Sequence, residues 1–279
     1  MTQQLPDLLA EALAATRTRR VNERDAAFRL LALAYQTAAQ VLGKVGESEL
    51  AWIAADRGLA AAQQSGDLPV TGSLVRSVLH CLTSTGRYEA ALHLLDDAEE
   101  HFRPGSGEAT GDQLSVYGAL QLAGAMAAAR TDNRGHVREL LRRADHAAQR
   151  LGADGNHLWT AFGPTNVAVH TVATAGELGD HQIAADLGQR LDTSGLPVER
   201  RVRHDLEVAR ALAAHNRTDD ALAVLLRAEA TAPEQVRHHT MSRELVLHWV
   251  RGTRGRPASR VAAGGSLQAG GCRGLRRER

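Results

Sequence analysis

The chain has 279 residues, of which 43% are hydrophobic, 23% charged and only 3% aromatic. A core of small and medium aliphatic side chains is typical of closely packed helices. The formal net charge is +1, but residues 252–279 contain seven Arg and one Glu, which leaves about −5 for residues 1–251. This acidic balance excludes a strongly basic, nucleic-acid-binding body.

The two cysteines and the N-terminal segment indicate in which cellular compartment we expect the protein. Cys81 lies in an apolar helical run, so we expect a buried thiol, and Cys272 is far away near the C-terminus. Neither a disulfide framework nor a metal site is predicted. The N-terminus lacks the basic-then-apolar order of a signal peptide. No apolar run approaches the roughly 20 residues that span a bilayer, so we expect a cytoplasmic protein without membrane contact.

Helical periodicity runs through almost the whole chain. From residue 25 to 250, Ala and Leu recur at three- and four-residue spacing, which is typical of amphipathic helices. Alternating runs of β-branched and aromatic residues, which would indicate strands, do not occur. The sequence predicts an all-α chain with a helical extension over 1–24, a helical repeat domain over 25–251 and a tail over 252–279.

A short turn recurs five times between the predicted helices. In each, Gly, Asp or Asn is followed five positions later by a small or branched apolar residue. The segments are KVGESELA (44–51), STGRYEAA (84–91), ARTDNRGHV (129–137), ELGDHQIA (177–184) and HNRTDDALA (215–223). The pairs are Gly46/Ala51, Gly86/Ala91, Asp132/Val137, Gly179/Ala184 and Asn216/Ala221.

These turns predict both a backbone conformation and a packing contact. The first residue of each pair should adopt the left-handed conformation that ends a helix. The small second residue should let two helices cross closely. The first residues are 40, 46, 47 and 37 positions apart, which is the length of a helix pair plus a variable connector.

Two of these segments resemble tetratricopeptide repeats, whose turn reads G-x-[YF]-x-x-A. They are GRYEAALHLL (86–95) and NRTDDALAVLLRAEATAP (216–233). Tyr88 occupies the turn aromatic, and Pro233 falls where the repeat places its closing proline. The other turns lack that tyrosine. The resemblance implies an α-solenoid, a right-handed superhelix of about five helix pairs, preceded here by an extra N-terminal helix.

A broader resemblance covers roughly residues 20–250. Residues 30–67, WTAFGPTNVAVH (159–170) and LPVERRVRHDLEVARAL (196–212) are similar to the repeat half of actinomycete helix-turn-helix regulators. In that family a Cro/repressor-type DNA-binding domain precedes the repeats. Residues 1–24 are too short for such a domain, so we do not expect direct, sequence-specific DNA binding. The resemblance implies a regulatory module that responds to a ligand or peptide.

The tail, residues 252–279, departs from this pattern. It contains seven Gly and seven Arg and has no apolar periodicity, which predicts disorder. One interpretation is a basic arm for nucleic acid or acidic partners. The favoured alternative is a spurious extension, such as the frameshifted end of a GC-rich gene.

The resemblance to tetratricopeptide repeats also indicates where a ligand would bind. In those arrays the first helix of each pair lines the concave groove. The implied register places Ser73 in the groove and selects ten binding candidates. In the third repeat, the candidates are the polar or aromatic residues on one helical face. The ten candidates are Gln36, Gln40, Arg76, His80, Tyr117, Gln121, Asn166, His170, Arg203 and Arg210.

The segment WTAFGPTN (159–166) concentrates rare residues at the start of the fourth repeat. Pro164 is predicted to lie in the first turn of a helix, where its missing N–H costs nothing. Trp159 and Phe162 should pack between repeats, and Trp52 should likewise be a core residue. Asn166 should point into the groove, where its amide can bond the main chain of an extended peptide. Alternatively, the candidate residues are solvated or bond between helices in an ordinary scaffold.

No catalytic signature is present in the sequence. There is no G-x-x-x-x-G-K-[ST], no G-x-S-x-G and no H-E-x-x-H among the 13 His. We therefore expect a non-enzymatic sensor or interaction module, without metal or cofactor, that binds a peptide or protein partner. The alternatives are a protein–protein scaffold without a small ligand and weak nucleic-acid binding through the tail. A homodimer is also possible.

Overall fold

The computed structural model describes residues 4–18 and 20–252, and all regular structure in these ranges is helical. The predicted all-α class is confirmed. A 3-10 turn at His157–Trp159 accompanies the α-helices. These are α1 (Leu5–Thr18), α2 (Val21–Lys44), α3 (Ser48–Ser65), α4 (Leu68–Ser84), α5 (Tyr88–Phe102), α6 (Gly111–Arg130), α7 (Arg134–Leu151), α8 (Pro164–Glu177), α9 (His181–Arg190), α10 (Val198–Ala214), α11 (Thr218–Thr231), α12 (Pro233–His238) and α13 (Thr240–Gly252).

The five predicted turns all lie between helices, beginning with the turn from α2 to α3 and ending with that from α10 to α11. The first residue of each has the expected positive φ: 88° at Gly46, 77° at Gly86, 54° at Asp132, 80° at Gly179 and 60° at Asn216. The second residues, Ala51, Ala91, Val137, Ala184 and Ala221, are at most 3% exposed. The predicted left-handed conformation is confirmed, and the five second residues are buried.

Backbone hydrogen bonds explain why the turns need a left-handed residue. The amide that follows it donates to a carbonyl five residues back, as in Arg87 N to Leu82 O at 2.8 Å. The same bond joins Asn133 N to Ala128 O at 3.0 Å and Arg217 N to Leu212 O at 2.9 Å. This is the Schellman arrangement, which satisfies helix-end carbonyls only when the capping residue is left-handed.

The chain divides into two units, the first ending at Gly179 and the second beginning at Asp180. In the first unit α2, α4 and α6 are the first helices of packed pairs, and α8 is the predicted first helix of the fourth pair. Each contacts the next in this series, so that α2 packs on α4, α4 on α6 and α6 on α8. The helices α3, α5 and α7 pack against these and against the helix that follows.

Small residues allow the helices of the first unit to approach closely. A Cβ atom on Gly124 of α6 would overlap the side chain of Leu95 from α5. Nearby, Ala125, Ala127 and Ala128 are fully buried. A core made of alanine and leucine therefore follows from the composition, because there are few large side chains to hold the helices apart.

The second unit is built around α10, which contacts α9, α11, α12 and α13. Val202, Leu206, Ala209 and Leu212 recur at three- and four-residue spacing on α10 and are fully buried. Leu225 of α11 is equally buried. The apolar face of the amphipathic helix α10 thus forms the core of this unit.

One predicted boundary falls inside a helix, and the other lies at the end of the described residues. Helix α2 begins at Val21, so the predicted limit of the N-terminal extension at residue 24 falls inside α2. The predicted disordered tail lies outside the described residues except for its first residue, Gly252, which ends α13, and Cys272 lies outside them as well.

Candidate functional site

The candidate residues of the first unit lie on the first helices, as predicted, but most are buried. Gln36, Arg76, Tyr117, Gln121 and Asn166 are each at most 7% exposed. Gln40 and His170 are half-buried, and His80 is exposed. The expectation that Asn166 points into an open groove is therefore wrong, because its side chain is enclosed between helices.

Gln36 and Ser73 form a buried contact between α2 and α4. Gln36 Nε2 donates to Ser73 Oγ at 2.6 Å. Gln36 Oε1 has no partner among the described residues. The amide therefore joins two first helices through its donor and leaves its acceptor unused.

Arg76 and His80 lie one turn apart on α4. Arg76 Nη1 donates to His80 Nε2 at 3.1 Å, so this ring nitrogen is the acceptor. Arg76 is buried, whereas His80 is exposed. The contact therefore joins a buried cationic side chain to an exposed histidine on the same helix.

Tyr117 belongs to an ionic cluster around Glu99 of α5. Tyr117 donates its hydroxyl to Glu99 Oε1 at 3.3 Å, and Arg103 Nη2 donates to the same oxygen at 2.7 Å. Arg143 of α7 donates to Glu99 Oε2. Burial, and then the Glu99 charge, raises the pKa of Tyr117. The cluster ties α5, α6 and α7 together, so Tyr117 has a structural partner.

Gln121 and Asn166 also have buried amide atoms without partners among the described residues. Gln121 of α6 is fully buried, and neither its Oε1 nor its Nε2 bonds to any described residue. Asn166 of α8 is 1% exposed, and its Oδ1 likewise has no partner in the described part of the chain. His170, one turn on, donates from Nδ1 to the Asn166 main-chain oxygen at 2.9 Å.

The two aromatic residues of the connector before α8 differ in burial. Phe162 is fully buried against α6, as predicted, and Pro164 begins α8. Trp159 is 57% exposed, so the prediction that it packs between repeats is wrong. Trp52 is also exposed rather than a core residue, and the Arg87 guanidinium lies 5.8 Å from the centre of its ring.

In the second unit Arg203 and Arg210 converge on one buried carboxylate. Arg203 donates to Glu207 Oε1 from Nη2 at 3.1 Å, and Arg210 donates to Oε2 from Nη2 at 2.8 Å. The Glu207 side chain is only 4% exposed. The two arginines therefore neutralise an internal carboxylate, which occupies the donors that a ligand would need.

His239 completes this cluster from the segment before α13. Arg203 Nη1 donates to His239 Nε2 at 3.0 Å. Burial, together with the Arg203 charge, lowers the pKa of His239 to about 4. The imidazole is therefore neutral at physiological pH.

Five participants are absent from the sequence prediction: Glu99, Arg103, Arg143, Glu207 and His239. Glu207 stands four residues after Arg203 and three before Arg210, a helical spacing that favours ion pairs and was visible in the sequence. Glu99 is 18 residues from Tyr117 and 44 from Arg143, so no local pattern indicates it. His239 is likewise distant from Arg203 in the chain.

The described residues contain no group of three or more His, Cys, Asp or Glu that could hold a metal ion. None of their helices combines the length and apolarity needed to cross a membrane. A comparison with known protein families gives no match, and a comparison with curated proteins gives none. The resemblances to tetratricopeptide repeats and to helix-turn-helix regulators therefore stay predictions.

Proposed function

We propose that the chain is a non-enzymatic sensor or interaction module with tetratricopeptide-like repeats, similar to the regulatory half of a helix-turn-helix transcriptional regulator. Its ligand is an extended peptide or a protein segment that inserts between first helices of the first unit. The observation that carries this proposal is the fully buried Gln121, whose amide oxygen and nitrogen both lack partners among the described residues.

The repeated turns support the architectural part of the proposal. Five helix-ending residues with positive φ are each followed by a buried small residue. The contacts from α2 to α4, from α4 to α6 and from α6 to α8 are those of stacked helix pairs. Together they support stacked helix pairs, and the resemblance implies a right-handed α-solenoid of about five such pairs.

The free-energy cost of leaving buried amides unpaired supports the proposal that a ligand binds them. A buried donor or acceptor without a partner costs about 1–3 kcal/mol. A peptide main chain offers an N–H and a C=O in regular alternation, so it can satisfy both atoms of Gln121 and the oxygen of Asn166. Such contacts recognise an extended backbone rather than a particular side chain.

Burial of these amides also supports a sensor rather than a passive binder. Because Gln121 and Asn166 are buried, a peptide reaches them only if the covering helices separate, so the bound and free forms differ in helix packing. A ligand that binds the separated form more tightly shifts the population towards it. In this proposal the change in helix packing is the signal.

The test uses the full chain and a synthetic pool of short peptides of random sequence. After gel filtration, native mass spectrometry should detect bound peptide on the wild type. Gln121→Leu and Asn166→Leu should each lose it. Ser115→Ala is the matched control, because Ser115 is also fully buried on α6 with an unpartnered hydroxyl in the described part of the chain. No peptide on the wild type, or undiminished peptide on Gln121→Leu, would rule the proposal out.

A second candidate function is a protein–protein scaffold without a small ligand. Leu50, Trp52 and Ile53 on α3 are 50%, 37% and 46% exposed, an apolar cluster of the kind that marks interaction surfaces. With a second copy as partner, sedimentation of the full chain should show a concentration-dependent dimer that Ile53→Asp weakens. Ile183→Asp on α9, where Ile183 is 54% exposed, is the control. A monomer at every concentration excludes this dimer.

A further inference from the structure

A cavity of about 360 Å³ lies within the second unit. Its walls come from the end of α9, the connector between α9 and α10, one face of α10 and the facing side of α11. This volume is within the range of small-molecule sites in proteins. None of the ten residues proposed from the sequence lines it.

Arg201 supplies a cationic group to the wall of the cavity. It lies on α10 and lines the cavity. Its Nε is buried and has no hydrogen-bond partner among residues 4–18 and 20–252. A guanidinium held in this way favours a carboxylate or phosphate, which it can bind through two parallel hydrogen bonds.

His204 lies three residues further along α10 and therefore on the same face as Arg201. Its side chain is 3% exposed and lines the cavity. His204 Nε2 lies 3.0 Å from Gly188 O, which can only accept, so the ring proton is on Nε2. Nδ1 is then an acceptor without a partner in the described residues.

The other charged groups that line the cavity are Arg227, Asp205 and Asp192. Arg227 of α11 donates to Asp205 Oδ1 at 3.1 Å, so these two charges neutralise each other. Asp192 accepts the Ser194 amide at 2.9 Å. The hydroxyl of Thr231 donates to the main chain of α11 and keeps its acceptor capacity.

We propose that this cavity binds a small hydroxylated anion. Its carboxylate or phosphate contacts Arg201, and a hydroxyl group donates to His204 Nδ1. Because Arg201 and His204 are neighbours on one helical face, the ligand carries its anionic group and its hydroxyl within a few bonds of each other. Glycerate and glycerol phosphate represent the carboxylate and phosphate forms of this chemistry.

The test is calorimetric titration of the full chain with glycerate and with glycerol phosphate. Acetate, inorganic phosphate and glycerol are the probes that lack either the hydroxyls or the charge. We expect at least one hydroxylated anion to bind, and to bind at least about tenfold more weakly to Arg201→Gln, since a charge-assisted hydrogen bond is lost. Arg190→Gln removes the same charge from α9 outside the cavity and should bind as the wild type does.

Several results would overturn the proposal. They are no binding of either hydroxylated anion to the wild type, equal binding to Arg201→Gln, and an equal loss in Arg190→Gln. Phosphate or acetate binding as tightly as its hydroxylated counterpart would overturn the contact at His204. NMR of the His204 ring during titration of the wild type gives a second readout, in which an unchanged resonance counts against the proposal. Because the peptide site is tested with Gln121 variants, the two proposals can fail separately.

Discussion

The ring of Phe162 occupies the space that a side chain at position 118 would need. A Cβ atom on Gly118 would overlap the ring at several of its carbon atoms. Phe162 comes from the connector before α8, whereas Gly118 lies inside α6, and both are buried. The start of α8 is therefore fixed against α6 by the absence of a side chain.

Gly118→Ala should destabilise the chain by about 1–3 kcal/mol, because the added methyl group overfills this contact. Urea unfolding followed by the helical circular dichroism signal measures the loss. Gly135→Ala in α7 is the control, since its only neighbour would be Asn133 Oδ1 at 3.7 Å and alanine favours a helix. Equal effects of the two substitutions would contradict the described contact.

Gln121→Leu should raise the free energy of unfolding of the ligand-free chain by about 1–3 kcal/mol. The substitution removes a fully buried amide whose atoms lack partners in the described residues. Gln63→Leu, at an exposed position on α3, should change stability by less than about 0.5 kcal/mol. A loss of stability in Gln121→Leu would show that the amide has a partner in the free protein.

Glu207→Gln should cost about 1–3 kcal/mol, because two arginines then lose a charged acceptor at a buried position. The same denaturation measurement applies. Glu234→Gln is the control, since the Glu234 side chain is 85% exposed and its contact with His238 is a surface pair. If both variants unfold like the wild type, Glu207 does not hold α10 in the way the geometry indicates.

His239 should make the stability of the second unit depend on pH. Its folded pKa of about 4 lies below the ordinary value of 6.5, so the folded state favours the neutral ring. As the pH falls from 6.5 to about 4, the unfolded chain takes up a proton that the folded chain does not, and stability is lost. Arg203 opposes protonation, whereas the nearby carboxylates Glu199 and Glu207 favour it.

In His239→Gln this component disappears. The variant should therefore lose less stability than the wild type over the same pH interval. Unfolding free energies at several pH values in both chains provide the comparison. Identical pH profiles would mean that His239 titrates alike in the folded and unfolded states.

Asp132→Gly should stabilise the turn between α6 and α7 by up to about 1 kcal/mol, since Asp132 adopts a φ of 54° that glycine accepts without strain. Its contact with Arg134, at 3.8 Å on the surface, contributes little. Gly86→Ala, at a φ of 77°, should cost about 1 kcal/mol. The two thermal midpoints should therefore shift in opposite directions.

The turns were predictable because their chemistry is local. A left-handed residue followed five positions later by a small buried one is determined by contacts between neighbouring helices, and all five pairs fit. The start of α8 at Pro164 and the burial of Cys81 follow from equally local patterns. Placement of the candidate residues on first helices followed from the same register.

The connector before α8 was not predictable in detail. Leu158, Trp159 and Ala161 have φ of 46°, 57° and 49°, values that local preference disfavours. Hydrogen bonds within the connector hold them, including Ala161 N to Asn156 Oδ1 at 3.0 Å. Whether Phe162 or Trp159 enters the core depends on these bonds and on Gly118, which no spacing rule connects to either.

The burial of Gln121 and Asn166 could also not be predicted from the sequence. Periodicity assigns a residue to a helical face, but it does not determine how closely the neighbouring helices cover that face. With glycine and alanine along α6, the cover is close enough to enclose both amides.

The turns within the helix pairs are nearly constant, whereas the connectors between pairs are not. The connector from α3 to α4 has two residues, Gly66 and Asp67, while that from α5 to α6 covers residues 103–110 and that from α7 to α8 covers 152–163. Insertions and deletions can therefore accumulate in the connectors over evolution without disturbing the pairs. Each pair can acquire its own recognition loop, and relatives of this chain should diverge first at these segments.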